Sequence, residues 1–129
     1  MAKVTIHQLR DQVRGTTVLA GDEGYDEARK VYNAMIDRHP EVVVRAANVG
    51  DVVAAVRYAA DNNLDLAIRG GGHSVPGFGT CDNGVVIDLS AMRAVHVDPA
   101  NKTARAEGGA TWGDFNNACL LYTSDAADE

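Results

Sequence analysis

Three consecutive glycines running into an imidazole, in the stretch RGGGHSVPG from Arg69 to Gly77, are the residues of this 129-residue chain best suited to chemistry. Glycine carries no Cβ. Gly70, Gly71 and Gly72 therefore let a ligand lie against the main chain, and their N–H groups can converge on an anion. Five of the 13 glycines fall between residues 70 and 79, straight after a short apolar run, which favours a ligand cradle over a plain turn. The two commonest phosphate loops fail on spacing. The dinucleotide pattern G-x-G-x-x-G fits Gly70 and Gly72 but meets Val75 in place of its third glycine, and Pro76 stands where a helix should begin. The pattern G-x-x-x-x-G-K-[ST] fits Gly72 and Gly77 but meets Phe78 in place of lysine. By chemistry alone His73 reads as a surface histidine of a loop. His7, His39 and His96 make no ligand spacing with it, so no metal site is expected. Ser74 is adjacent to His73 in sequence, which is not triad geometry.

The elements that must position this loop alternate in type. Residues 1–20 read as an irregular or short helical lead-in. Tyr25, Ala28, Tyr32, Met35 and Ile36 recur at helical spacing, and Pro40 ends that helix. Val42–Arg45 reads as a buried parallel strand. A second helix starts from an Asn48 cap with Asp51 in its first turn. Val49, Val52, Val53, Val56 and Ala60 form its expected apolar face, and Asn62 and Asn63 its stop. The run LDLAIR is the next strand, so the glycine loop leaves its carboxyl end, where open α/β sheets bind ligands. GVVIDLS, AVHVD and TARAE follow as short extended runs, the last two joined by a turn at DPANK in which Asn101 tolerates a left-handed conformation. Thr111 and Asp114 resemble a capping box opening a final helix. The expected fold class is α+β: a small βαβ parallel unit followed by short antiparallel strands.

Composition sets the outer limits. The chain is 46% apolar, with 12 basic and 18 acidic side chains and a net charge of −6. That balance argues against nucleic acid as a partner, because phosphates reward a basic patch. Cys81 and Cys119 form neither a CxxC pair nor a metal spacing, and a reducing compartment suits them. The N-terminal MAKVTIHQLR lacks the apolar core of a signal peptide, and no run has the length of a membrane helix. A cytoplasmic location is expected, with no membrane partner.

The stretches RGGGHSVPGFGTCDNGVVIDLSAM and VDPANKTARAEGGATWGDF, with GDEGYDEARKVYNAMIDRHP upstream, closely resemble the bacterial branch of the berberine-bridge-enzyme-like FAD-linked oxidases, within the vanillyl-alcohol-oxidase, or PCMH-type, FAD-binding fold. The resemblance runs from about Gly21 to Ala118. It implies FAD as cofactor, with its pyrophosphate cradled by Arg69, Gly70, Gly71, Gly72, His73 and Ser74, and Gly77 continuing the turn. It implies a covalent bond from His73 to the 8α-methyl carbon of the flavin. The GGAT segment, Gly108 with Gly109, Ala110 and Thr111, would lie along the cofactor, with Leu89 and Ser90 near it. Cys81 is expected to be a small buried or loop residue and no second flavin link.

The resemblance stops at Cys119. CLLYTSDAADE is similar to translated adaptor sequence, and residues 119–129 are expected to be a non-native tail. The domain reading is thus a lead-in over 1–20, a partial PCMH-type FAD-binding domain over 21–118, and that tail. The parent is expected to be an FAD-dependent oxidase that moves a hydride from a small-molecule substrate to flavin and then to O2, with this chain inactive by itself. The alternative is a non-catalytic flavin- or nucleotide-binding module that uses the loop without covalent chemistry.

Overall fold

The computed structural model describes residues 3–74 and 76–128, with side chains as far as Leu121. A four-stranded sheet forms the centre. In chain order its strands are β1 (Thr16–Leu19), β2 (Val42–Arg45), β3 (Leu66–Arg69) and β4 (Val85–Asp88). Their spatial order is β1-β2-β4-β3. β4 pairs parallel with both β2 and β3, and β1 pairs antiparallel with β2 along the outer edge. Val85, Val86 and Ile87 are fully buried, as a central strand covered on both faces requires.

Two expectations change here. GVVIDLS was expected among the short extended runs, read as antiparallel strands, that follow the βαβ unit, but its Val85–Asp88 core slots parallel between the two strands of that unit. An unbroken V-V-I-D run has no solvent face, so only the middle of the sheet suits it. The lead-in also contributes a strand as well as the short helix α1 (Ile6–Gln12). Thr5 caps α1 with a reciprocal Gln8 bond, and Leu9 is fully buried in the main core.

The helix expected across residues 25–36 ends early. α2 covers only Tyr25–Arg29. Beyond it the chain opens into an irregular strap over the glycine loop, where tertiary contacts outweigh helical periodicity. The Tyr32 N–H donates to the Gly72 carbonyl at 2.8 Å, Arg29 pairs with Asp37, and Arg38 donates to the Gly77 and Thr80 carbonyls.

α3 (Val49–Asp61) begins at the Asn48 cap as expected, and the Asn48 side chain accepts from the Asp51 N–H. Its buried stripe, however, is Asp51, Ala54, Ala55, Tyr58 and Ala59. Val49, Val53 and Val56 stand exposed. Small alanines let the helix lie close on Val42, Val44, Val85 and Ile87 in one cluster, and Asp51 is drawn inward by backbone donors. The opposite sheet face is a smaller cluster of Val43, Ala67 and Val86. Cys81 packs against it, and burial, the largest effect, pushes its thiol up.

β5 (Val95–Asp98) and β6 (Thr103–Ala106) form the expected antiparallel hairpin. The left-handed residue of its turn is Lys102, with φ 54°. Asn101 instead donates through its backbone and side chain to Asp98. α4 (Trp112–Asp128) carries the capping box: the Thr111 N–H donates to Asp114, and the Asp114 N–H donates to the Thr111 hydroxyl. Its backbone stays helical to Asp128, past Cys119 where the family resemblance stops. Leu, Ala and Asp there offer no breaker.

Candidate functional site

The loops that leave the carboxyl ends of β3 and β4 meet the segment returning from the β5–β6 hairpin. Three backbone bonds fix the meeting. The Leu89 N–H donates to the Arg69 carbonyl at 2.9 Å, the Gly109 N–H to Met92 at 3.0 Å, and the Glu107 N–H to Ala94 at 2.9 Å. The fit is close enough to need glycine on both sides. A Cβ on Gly70 would lie 3.0 Å from the Gly108 carbonyl oxygen, and one on Gly109 would lie 1.7 Å from that of Leu89.

This convergence leaves an apolar cleft of about 500 Å³ lined by Gly71, His73, Ala106, Gly109, Ala110, Thr111, Trp112 and Phe115. Five residues expected at the site, Gly71, His73, Gly109, Ala110 and Thr111, therefore share one wall. Trp112 and Phe115 complete it, with ring centroids 5.7 Å apart in an edge-to-face arrangement. Sequence reasoning treated TWGDF as a helix start only. Its signal was there, because a Trp and a Phe three positions apart in a first helical turn share one face.

The other expected residues sit behind the wall. Arg69 is buried beneath the loop, donating to Asp88 at 3.0 Å and to the Lys30 carbonyl at 3.1 Å. Burial works against the Asp88 charge, but the Ser90 N–H and hydroxyl and the Arg69 guanidinium outweigh it and hold the carboxyl below the ordinary range. The Ser90 hydroxyl also accepts from Arg45. Gly77 is buried at φ 82°, where a Cβ would strike Ile36 at 2.9 Å. The Ser74 hydroxyl accepts from the Phe78 N–H at 3.3 Å, closing the far end of the loop. Leu89 presents its side chain to Gly108.

Flavin dinucleotide can be tested against these groups. Among the described residues none accepts a hydrogen bond from the N–H groups of Gly70, Gly71, Gly72 or His73, although the Gly72 carbonyl is engaged by Tyr32. Consecutive main-chain donors with no partner among the described residues suit a diphosphate. The start of α4 is a poorer anion site, because the Asp114 carboxylate already accepts from Thr111 and from Arg93. The apolar cleft beside His73 suits a flat aromatic ring. The residues present fit the cofactor.

Residues 40–124 match the protein family described as an FAD binding domain. The chain is 36% identical over 103 residues to (R)-6-hydroxynicotine oxidase of Paenarthrobacter nicotinovorans, covering 80% of this chain and 22% of that protein. It is 41% identical over 116 residues to the FAD-linked oxidoreductase hasG of Aspergillus fumigatus, covering 88% of this chain and 25% of that one. The crystal structure of 6-hydroxy-D-nicotine oxidase from Arthrobacter nicotinovorans superposes with a TM-score of 0.75 at 36% identity, over 79% of this chain and 22% of that one. The chain thus spans about a quarter of the length of the curated relatives it matches. No helix among the described residues is long and apolar enough to cross a membrane.

Proposed function

The chain belongs to the FAD-binding-domain family of FAD-linked oxidoreductases, and on that premise we propose that it builds one wall of the flavin site of an FAD-dependent oxidase of the bacterial berberine-bridge-enzyme-like kind. The observation that carries this proposal is the meeting of Gly71 and His73 with Gly109, Ala110 and Thr111 on a single cleft. The N–H groups of Gly70, Gly71, Gly72 and His73 hold the diphosphate, and Ser74 and Gly77 keep the far end of their loop in shape. Gly109, Ala110 and Thr111 lie along the cofactor. Arg69, Leu89 and Ser90 serve it from beneath by fixing the loops that carry these donors.

Bound FAD supplies a hydride acceptor for a substrate C–H and passes the electrons on to O2. The protein's share is to bind, orient and dry the ring. His73, which lines the cleft, tethers the ring through an imidazole nitrogen. The substrate is a small molecule bearing an alcohol, of the sugar or the aromatic and alkaloid-like secondary-metabolite class. The 129-residue chain holds flavin without turning substrate over.

Expression with FAD, acid precipitation and in-gel fluorescence test the proposal. The wild-type chain retains acid-stable flavin, and His73→Ala binds FAD without retaining it. A folded chain that takes up no FAD would overturn the site. Flavin still attached after denaturation of His73→Ala would overturn the tether.

A further inference from the structure

We propose that Tyr32 positions the His73 imidazole for its bond to flavin, an inference that rests on the tethering role given above to His73. The two rings lie with centroids 4.5 Å apart and planes tilted by 33°. This is the separation of an offset aromatic contact. A second link is independent of the first: the Tyr32 N–H donates to the Gly72 carbonyl at 2.8 Å. The strap is therefore fastened to the residue that precedes His73 as well as to its ring. On the other side, Gly71 makes room for the imidazole, because a Cβ there would stand 2.8 Å from the His73 Cδ2.

The exposure of Tyr32 sharpens the inference. Its side chain is 77% exposed, so it adds little to the core, and the ring contact it makes is with the histidine on the cleft wall. A tyrosine kept for stability would be buried. Arg69 anchors the start of the same strap through the Lys30 carbonyl, and the Ile36 side chain packs on Gly77, so Tyr32 is held from both ends.

The step it serves is a nucleophilic one. The new C–N bond replaces one methyl C–H and one imidazole N–H, and the two protons and two electrons released pass to O2, giving H2O2. A bond of this kind requires the nitrogen lone pair to be aimed at the carbon, and misaim lowers its rate far more than it lowers cofactor affinity.

Tyr32→Ala and Tyr32→Phe separate positioning from folding. In the 129-residue chain without flavin, Tyr32→Ala removes the ring-current displacement of the His73 proton resonances, and Tyr32→Phe preserves it. With FAD added, Tyr32→Ala acquires acid-stable flavin about tenfold more slowly or worse. Its reversible FAD affinity stays within about twofold of wild type, and Tyr32→Phe restores the attachment rate. Attachment by Tyr32→Ala at the wild-type rate would overturn the inference. If the wild-type chain binds FAD reversibly and never attaches it, the tether itself falls and the positioning claim falls with it. Attachment by wild type with unchanged His73 resonances in Tyr32→Ala would overturn positioning alone.

Discussion

Arg69 and Asp88 pair at 3.0 Å beneath the glycine loop, with side chains only 7% and 12% exposed. The pair joins the last residue of β3 to the last residue of β4, the two strand ends from which the site loops depart. Removing Arg69 takes the buried cation from Asp88 but leaves it the Ser90 N–H and hydroxyl and the Arg45 guanidinium at 4.0 Å, so the cost is at the lower end for a broken buried pair, about 3 kcal/mol. Arg69→Met is expected to lower unfolding free energy by that amount in urea. The double variant Arg69→Met with Asp88→Asn should lose less than the sum of the single losses. Additive losses would show that the pair is not energetically coupled.

Gly71 and Gly109 line the same cleft and should respond differently to alanine. At Gly109 the added carbon meets the Leu89 backbone at 1.7 Å. Main chain cannot step aside cheaply, so a loss of about 3 kcal/mol is expected. At Gly71 the obstacle is the His73 ring edge at 2.8 Å, which swings away at little cost. Gly71→Ala should melt within about two degrees of wild type and still lose acid-stable flavin. Equal loss of stability in both variants would contradict the distinction.

The inward face of α3 is testable in the same spirit. Val53 and Val56 are 42% and 39% exposed, while Ala55 is fully buried. Val53→Ser and Val56→Ser should each shift stability by no more than about 0.5–1 kcal/mol. Ala55→Leu overfills the contact with β2 and β4 and should cost about 1–3 kcal/mol. A reversal of that order in thermal melts would place the valines back in the core.

Local chemistry explains what could be read in advance. Val42–Arg45, the Asn48 cap, the hairpin and the Thr111–Asp114 box depend on neighbours within a few residues, and each forms where the sequence places it. The glycine loop was legible because bare backbone is itself the signal. What the sequence hid depends on distant partners. The β4 position between β2 and β3 is decided by pairing across the sheet. The strap is decided by the Gly72 and Gly77 carbonyls, to which Tyr32 and Arg38 donate. Tyr32 looked like one more residue on a helix face, and its contact with His73 exists only because that helix stops at Arg29. On α3, periodicity offered a valine face and an alanine face, and close approach to the sheet selected the smaller side chains.

Asp51 supplies the last prediction, through pH. Its carboxylate is 1% exposed and accepts from the N–H groups of Arg14 at 2.7 Å, Ala47 at 2.8 Å and Gly15 at 2.9 Å, locking β1 to the turn between β2 and α3. Burial disfavours the charge, but these three donors together outweigh it and hold the carboxyl below the ordinary range. The folded group therefore ionises more readily than the unfolded one, whose pKa is about 3.9. Its contribution is complete at neutral pH and is lost as pH falls below about 4 toward the folded value. Asp51→Asn should cost about 2–4 kcal/mol at pH 7, since an amide oxygen accepts less strongly and the amide N–H2 faces other donors. The gap to wild type should narrow as pH drops through 4, because only the wild type loses this stability on acidification. Asp88, held low in the same sense, keeps part of the acid sensitivity in the variant. Urea midpoints measured between pH 7 and 3 decide the matter: a gap that stays constant across that range would mean that the Asp51 charge does not hold the N-terminal strand in place.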